Sequence, residues 1–380
     1  MSEYQTRLSA LERRIGECGL DGLIITDPDS IYYFTGCENH IEMDFGRPAL
    51  LIAMRGEPAV LMVPAGDLGM TREMVRAVKI VGWRDSADGE WKPLLAALLM
   101  RARPRRVGFE SRFNPLVYIH FQAVCDAVAV ITDEPVMQMR LIKSPSEIAD
   151  LRKAGEVADA MMCACRSAIA VGVPEYEVSL AAIEAGTRKA AELLVAEGAH
   201  FLRSPMVSYL QILKTGNNTD LGHCRPGVKR IVAGEPVAVC LCGMISYKHM
   251  KLAMDRPFFA GTVSKDHAAL TDVALESQAA ALAAVRPGVT VSAVHEAASA
   301  VLQKHGHAPS TRTGRGLGAS FTERPQIMSG DMTVIRPGMV LAVDGNLTIE
   351  DFGVQFGDSV VVTETGFEFL TTHRRDIQVV

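Results

Sequence analysis

A helix-start signature at Ser144-Pro145-Ser146-Glu147 divides this chain into two stretches of different rhythm. Ser144 or Ser146 can cap a first turn, Pro145 has its φ pre-set for a first helical position, and Glu147 suits the positive end of a helix. Ahead of the signature, short apolar runs alternate with helical spacing. Residues 5–20 carry helix-spaced apolar positions, and LIIT reads as a short buried strand closed by the turn-forming Asp27-Pro28-Asp29. PALLIAM and PAVLMVP read as strands joined across Arg55-Gly56-Glu57, followed by a helix near 67–78, the strand KIVGW, a helix near 91–102 and the strand RVGFE. That alternation predicts an α/β domain over residues 1–135, with an extended linker running up to Ser144.

Beyond the signature the rhythm slows. Long Ala-rich helices over 145–170, 176–197, 265–285 and 291–305 are interleaved with the hairpin-like runs PVAVCLCGMI, KLAMDRPFFAG, MVLAVDGNLTI and GVQFGDSVVVTET. Helices grouped with antiparallel strands predict an α+β domain over residues 136–380. Two domains also suit a chain of 380 residues, since single cores rarely grow past about 250–300.

Composition narrows the function. With 48% hydrophobic and 22% charged residues and a net charge of -5, the chain lacks both the polarity of a disordered protein and the basic excess of a nucleic-acid binder. A small-molecule or protein partner is expected. The first residues are charged and amphipathic, and no later run of about 18 apolar residues suggests a membrane span, so a cytoplasmic location is expected. Eight cysteines with no CxxC pair predict reduced, mostly buried thiols. The glycines of GRGLG lack the Lys-Ser/Thr of a phosphate loop.

Six segments, in order, carry a resemblance: GLDGLIITDPDSIYYFTG, MRLIKSPSEIADLRKAGEVADA, GNNTDLGH, GRGLGASFTERP, IRPGMVLAVDG and VQFGDSVVVTETGFEFLT. Together they resemble the creatinase and prolidase superfamily, which implies an α/β N-terminal domain followed by an α+β "pita-bread" domain. In metal-dependent members the corresponding positions carry two Asp, a His and two Glu that bridge two metals. Here those positions read Leu241, Leu252, Arg315, Asp344 and Gly357. Leucine, arginine and glycine side chains donate nothing to a cation, so no metal and no cofactor are expected. A rebuilt site from Cys240, Cys242, His249 and Asp255 is the competing idea.

The metal-free branches, creatinase and ectoine hydrolase, hydrolyse C–N bonds at an amidine-like carbon, and the resemblance transfers roles residue by residue. His223 in GNNTDLGH is the candidate to activate water, against the bland alternative of a turn or core histidine. Asp255 in KLAMDRPFFAG and Asp344 in VLAVDGN are the candidates to grip a planar cation, against an Asp255–Arg256 ion pair and a turn residue before Gly345. Phe45 and Arg47 in the FGR segment, with Arg324 in FTERPQ, would hold a substrate carboxylate, Arg47 reaching into a neighbouring subunit; the alternatives are a surface pair for Arg47, and pairing with Glu323 or facing solvent for Arg324. Arg315 is expected to stand in for the lost metal by neutralising Asp344 and Asp358. Lys248, His249 and Lys251 are expected to form a solvated turn. The implied protein is a homodimeric, metal-independent hydrolase of a small zwitterionic guanidino or cyclic amidine acid. Its rivals are an Xaa-Pro dipeptidase-type peptidase and a non-catalytic binding protein on the same fold.

Overall fold

The computed structural model describes residues 2–38, 47–84, 90–207 and 212–380, which fall into two compact units, Met1–Met139 and Arg140–Val380. The first unit runs α1 (Glu3–Glu17), β1 (Gly22–Ile25), α2 (Pro28–Thr35), β2 (Leu50–Met54), β3 (Val60–Pro64), α3 (Leu68–Met74), β4 (Lys79–Trp83), α4 (Trp91–Ala102), β5 (Arg106–Phe109), α5 (Pro115–Val124), β6 (Val128–Ile131) and α6 (Glu134–Arg140). Its sheet has the order β4-β3-β2-β1-β5-β6, with β2 antiparallel to both β1 and β3 and the other pairings parallel. β1, β2 and β3 are buried along their whole length, which is why they read as unbroken apolar runs. Trp91, Leu95 and Leu99 from one face of α4 pack with Phe109, Phe121 and Ile24 in the core.

Two sequence expectations fail in this unit for local reasons. Asp27-Pro28-Asp29 starts α2 rather than closing a turn, because the Asp27 side chain accepts from the Asp29 N–H and Pro28 fills the first turn. The linker expected to be extended contains α6, which breaks off only at Arg140, four residues before Ser144.

The second unit opens with α7 (Pro145–Ala168). Here the predicted helix start is a complete capping box: Ser144 accepts from the Glu147 N–H while the Glu147 carboxylate takes the Ser144 N–H. There follow α8 (Glu175–Ala196), β7 (Ile212–Thr215), β8 (Pro236–Cys240), β9 (Ser246–Tyr247), β10 (Met250–Lys251), β11 (Asp255–Phe259), α9 (Lys265–Ala284), α10 (Val291–Lys304), β12 (Gly314–Gly316), β13 (Glu323–Ile327), β14 (Val340–Ile349), β15 (Phe352–Val362), β16 (Phe367–Phe369) and β17 (Gln378–Val379). Its large sheet has the order β13-β12-β14-β15-β11-β8-β7 and is antiparallel throughout that path. The two-domain α/β plus α+β architecture expected from the sequence is therefore the one observed.

The helix α9 lies directly on β14. At Gly345 a side chain would meet the backbone at once, an added Cβ falling 2.3 Å from the Ala274 carbonyl oxygen and 2.5 Å from the Gln278 nitrogen. The absence of a side chain there lets helix and strand touch. Ala274, Phe259, Phe352 and Phe356 fill the surrounding core.

Candidate active site

One row of register partners crosses this sheet: Asp344 on β14, Gly357 on β15, Asp255 on β11, Cys240 on β8 and Ile212 on β7. Directly opposed residues put their side chains on the same face, and residues two apart along a strand join them. We call this the front face. Lys214, Ala238, Asn346, Thr348 and Gln355 occupy those alternate positions, and with Cys240 and Asp255 they line a cleft of about 460 Å³, counting its solvent-filled mouth.

At the centre of the row the two aspartates flank a glycine. A Cβ on Gly357 would lie 2.1 Å from Asp255 Oδ2 and 2.8 Å from Asp344 Oδ1, so the missing side chain is what lets the two carboxyls share one space. Burial raises the Asp255 pKa, repulsion from Asp344 raises it further, and the pull of Arg315 and the Gln355 amide only partly offsets this, leaving it at about 7. Asp344 is pushed up to about 6, chiefly by burial, against the attraction of Arg315 and Arg312. Such a pair titrates as a unit, its two protons leaving between mildly acidic and neutral pH.

Their partners are sparse. Asp255 Oδ2 accepts from Gln355 Nε2 at 3.1 Å, and Arg315 Nη1 stands 4.0 Å from Asp344 Oδ2. Arg315 donates through Nε to the Phe321 carbonyl and lies over the Phe321 ring at 4.1 Å, while burial lowers its own pKa. Asp344 Oδ1 and Arg315 Nη2 are both buried without a hydrogen-bond partner. An unsatisfied acceptor beside an unsatisfied donor is the arrangement a bound polar ligand would complete.

The back face of the same strands is different. Asp358, fully buried, accepts from Arg256 Nη2 at 2.7 Å and Thr371 Oγ1 at 2.9 Å on one oxygen, and from Arg375 Nε at 2.8 Å and Gln278 Nε2 at 3.0 Å on the other. Elsewhere in this unit Glu323 is equally well held: burial would raise its pKa, but Arg140 and Lys143 bring it down to about 2.

The structure brings Asp255, Asp344 and Arg315 together and separates them from the other candidates. Asp344 is not a turn residue, since β14 runs through it, and Asp255 does not pair with Arg256, whose guanidinium points to the back face. The expected Arg315–Asp358 pairing is likewise absent, because neighbouring strand positions face opposite ways and Asp358 is served by Arg256 and Arg375. His223 is exposed on the loop after a 3-10 turn, next to the cleft-lining Gly222. Arg324 is exposed on β13, between buried Glu323 and Pro325, and Glu323 is taken up by Arg140 and Lys143. Arg47 lies exposed ahead of β2 in the first unit, and Phe45 falls outside the described residues. Lys248 and His249 do form a turn between β9 and β10, but Lys251 is buried and donates to the Ala319 carbonyl.

Three features of the site are not foreseen from the sequence. Lys214 on β7 holds the carbonyls of Thr219 and Leu221, and its ammonium, lowered by burial, faces the same cleft as Asp255. Gln355 hydrogen-bonds the catalytic-candidate Asp255. Cys240 and Cys242 are joined as a disulfide rather than reduced, with Cys242 Sγ 3.8 Å from Asp255 Oδ1. The i, i+2 spacing of the cysteines is the available signal; without the register of β8 and β11 it has no meaning.

The two-metal centre implied by the resemblance does not fit these residues. Leu241 and Leu252 are completely buried aliphatic side chains, Arg315 brings a permanent cation, and Gly357 has no side chain, so of those five positions only Asp344 keeps an oxygen donor, with the Asp255 carboxyl across Gly357 as the one other in the same space among the described residues.

Comparison with known proteins agrees with the fold. Residues 7–142 match the creatinase/prolidase N-terminal domain, and residues 149–364 match metallopeptidase family M24. An agropine synthesis cyclase from Rhizobium rhizogenes is 31% identical over 393 residues, spanning 97% of this chain and 95% of the relative. An Xaa-Pro dipeptidase from Pyrococcus furiosus is 24% identical over 375 residues, spanning 98% and 99%. Among solved structures, a prolidase from Thermococcus sibiricus superposes with a TM-score of 0.86 at 20% identity, and an Xaa-Pro dipeptidase from Bacillus anthracis with 0.83 at 22%, each covering the whole of both chains.

Proposed function

Because the chain belongs to metallopeptidase family M24 and carries a creatinase/prolidase N-terminal domain, we propose that it is an enzyme that works without metal, hydrolysing a C–N bond in a small zwitterionic guanidino or cyclic amidine acid. The observation that carries this reading is the Asp255–Asp344 pair across Gly357, raised to about 7 and about 6 where a metal centre would need donors. A buried pair sharing one proton has an acid and a base side by side at neutral pH.

In this mechanism the ionised member of the pair holds the substrate cation, and charge-assisted hydrogen bonds draw electron density from the central carbon. Water, activated by His223, the exposed neighbour of the cleft-lining Gly222, adds to that carbon. The protonated member gives its proton to the departing nitrogen as the C–N bond breaks. Lys214 on the cleft wall and Arg315 beside Asp344 are the cations available to a substrate carboxylate. Arg47, with Phe45, and Arg324 keep their proposed carboxylate-binding roles only in a homodimer that brings them to a site, which size-exclusion chromatography tests.

A second reading is favoured by the relative named as a cyclase. The same acid–base pair would serve ring closure if a nucleophile of the substrate itself replaced water, and the cleft would then need to exclude water rather than supply it.

One experiment separates these readings. Chelator-treated protein is incubated with guanidino acids, cyclic amidine acids, open-chain hydroxy and amino acids, and Xaa-Pro dipeptides, and the products are weighed by mass spectrometry. Hydrolysis adds one water to the guanidino or amidine substrate, is indifferent to chelation and is lost in Asp255→Asn. A product lighter by one water assigns ring closure instead. Dipeptide cleavage that returns only with added divalent metal overturns the metal-free reading, and ligand-induced thermal stabilisation with no turnover overturns the assignment as an enzyme.

A further inference from the structure

One row along the front face from the acid pair, Asn346 on β14 stands directly opposite Gln355 on β15. The row lies two residues, about 7 Å, along the strands from Asp344 and Gly357. Both side chains line the cleft, and each is an amide with one end already committed. Ser310, between α10 and β12, donates its hydroxyl to Asn346 Oδ1, so the Nδ2 hydrogens are what Asn346 keeps for the cleft. Gln355 spends Nε2 on Asp255 Oδ2, which leaves its Oε1 as an acceptor. Opposed side chains on one face of a sheet start about 5 Å apart, so a single ligand group can meet both.

We propose that Asn346 and Gln355 are specificity-determining residues, selecting among guanidino and cyclic amidine acids those that carry a neutral hydroxyl or primary carboxamide several bonds from the amidine carbon. This selection rests on the reading of Asp255 and Asp344 as the groups that hold the substrate cation, and it adds the group at the other end of the substrate.

Charge decides what the row accepts. Among the described residues that line the cleft, only Lys214 and Asp255 are charged, so Asn346, Gln355 and the neighbouring Thr348 make a neutral end. A carboxylate placed there would meet the Nδ2 hydrogens but be repelled by Gln355 Oε1 and by Asp255 beyond it. An ammonium would meet the acceptor and face the amide hydrogens. A group with both a donor and an acceptor satisfies the two amides together, whereas a plain methyl strips water from both and returns nothing. Lys214 does not compete for this group, because β7 is four strands from β14, about 19 Å across the sheet. The substrate carboxylate and the neutral group therefore go to different walls, with Asp255 on β11 between them.

The test uses the intact, chelator-treated protein and three probes: 2-guanidinopentanoic acid, which ends in a methyl, and its counterparts ending in a primary carboxamide and in a carboxylate. Their chain is long enough for the end group to reach the Asn346 row while the guanidinium lies against the acid pair. Calorimetric titration should give the carboxamide a dissociation constant about tenfold below that of the methyl acid, the worth of one net hydrogen bond, with the carboxylate no tighter than the methyl. In Asn346→Leu the preference for carboxamide over methyl should vanish, and Ser310→Ala, which frees the amide to turn, should keep only part of it. Equal affinity of the carboxamide and methyl acids for wild type, or a carboxylate that binds tightest, overturns the selection and leaves the role of the acid pair standing. Full preference retained in both variants overturns the assignment to Asn346. Binding of none of the three overturns the cation-holding role of the acid pair, and the selection with it. The comparison of the three acids on wild type needs no variant to fold.

Discussion

Asp255 and Asp358 sit on adjacent strands, one residue out of register, and so face opposite sides of one sheet. Both are buried. On the back face Asp358 has a donor for every approach: two arginines, a threonine and a glutamine. On the front face Asp255 has one amide and a second carboxyl for company, and the nearest guanidinium belongs more to Asp344. Burial alone therefore does not mark a working site. What distinguishes the front face is an acid group left short of partners, whose proton affinity is moved into the range where it can be exchanged.

The contrast can be broken by substitution, and the largest effect should come from the front face. Asp255→Asn is expected to lower turnover by about 10²–10⁴-fold while leaving the folded state as stable as before or more so, because it removes a like-charge repulsion. Steady-state kinetics beside a denaturant titration read both quantities; a large stability loss with activity intact would invert the two faces.

Next is the back face. Arg256→Met deprives Asp358 of one of its two arginines and should cost about 3 kcal/mol of unfolding free energy. Urea unfolding measures it, and a loss no larger than that of Asp344→Asn would erase the distinction drawn here.

The smallest effect is on pH dependence, and its sign differs between the two kinds of carboxylate. Asp255 and Asp344 have folded-state pKa values above their unfolded ones, so the folded state binds more protons between about pH 4 and 7, and stability falls as pH rises through that window. Glu323, held at about 2, contributes stability that is present above the ordinary glutamate pKa and lost as pH falls toward 2. The unfolding free energy of wild type should therefore drop more than that of Asp255→Asn between pH 5 and 8, by on the order of a few kcal/mol at most. Parallel curves would show that the front-face pair is not strained.

Much of the fold is legible in the amino-acid sequence itself. The Ser144 capping box, the unbroken apolar strands β1 to β3 and the long helices α7 and α8 are local effects, and local chemistry is enough to place them. Asp255, Asp344 and Arg315 stand out by motif. Their partners are harder to read, because which side of a strand a residue faces is decided by pairing across the sheet. A one-residue slip in that assignment gives Arg315 to Asp358 and Asp255 to Arg256, each the wrong face. Lys214 and Gln355 are hidden for the same reason: they lie near Asp255 only through the register of β7, β8 and β15.

The contact at Gly345 has a mechanical consequence. With α9 seated against the strand that carries Asp344, there is no slack behind that residue for the strand to bow backward and ease the two carboxyls apart. The helix works as an anvil: the electrostatic load is kept in the side chains, as an altered appetite for protons, and is not dissipated by bending the sheet.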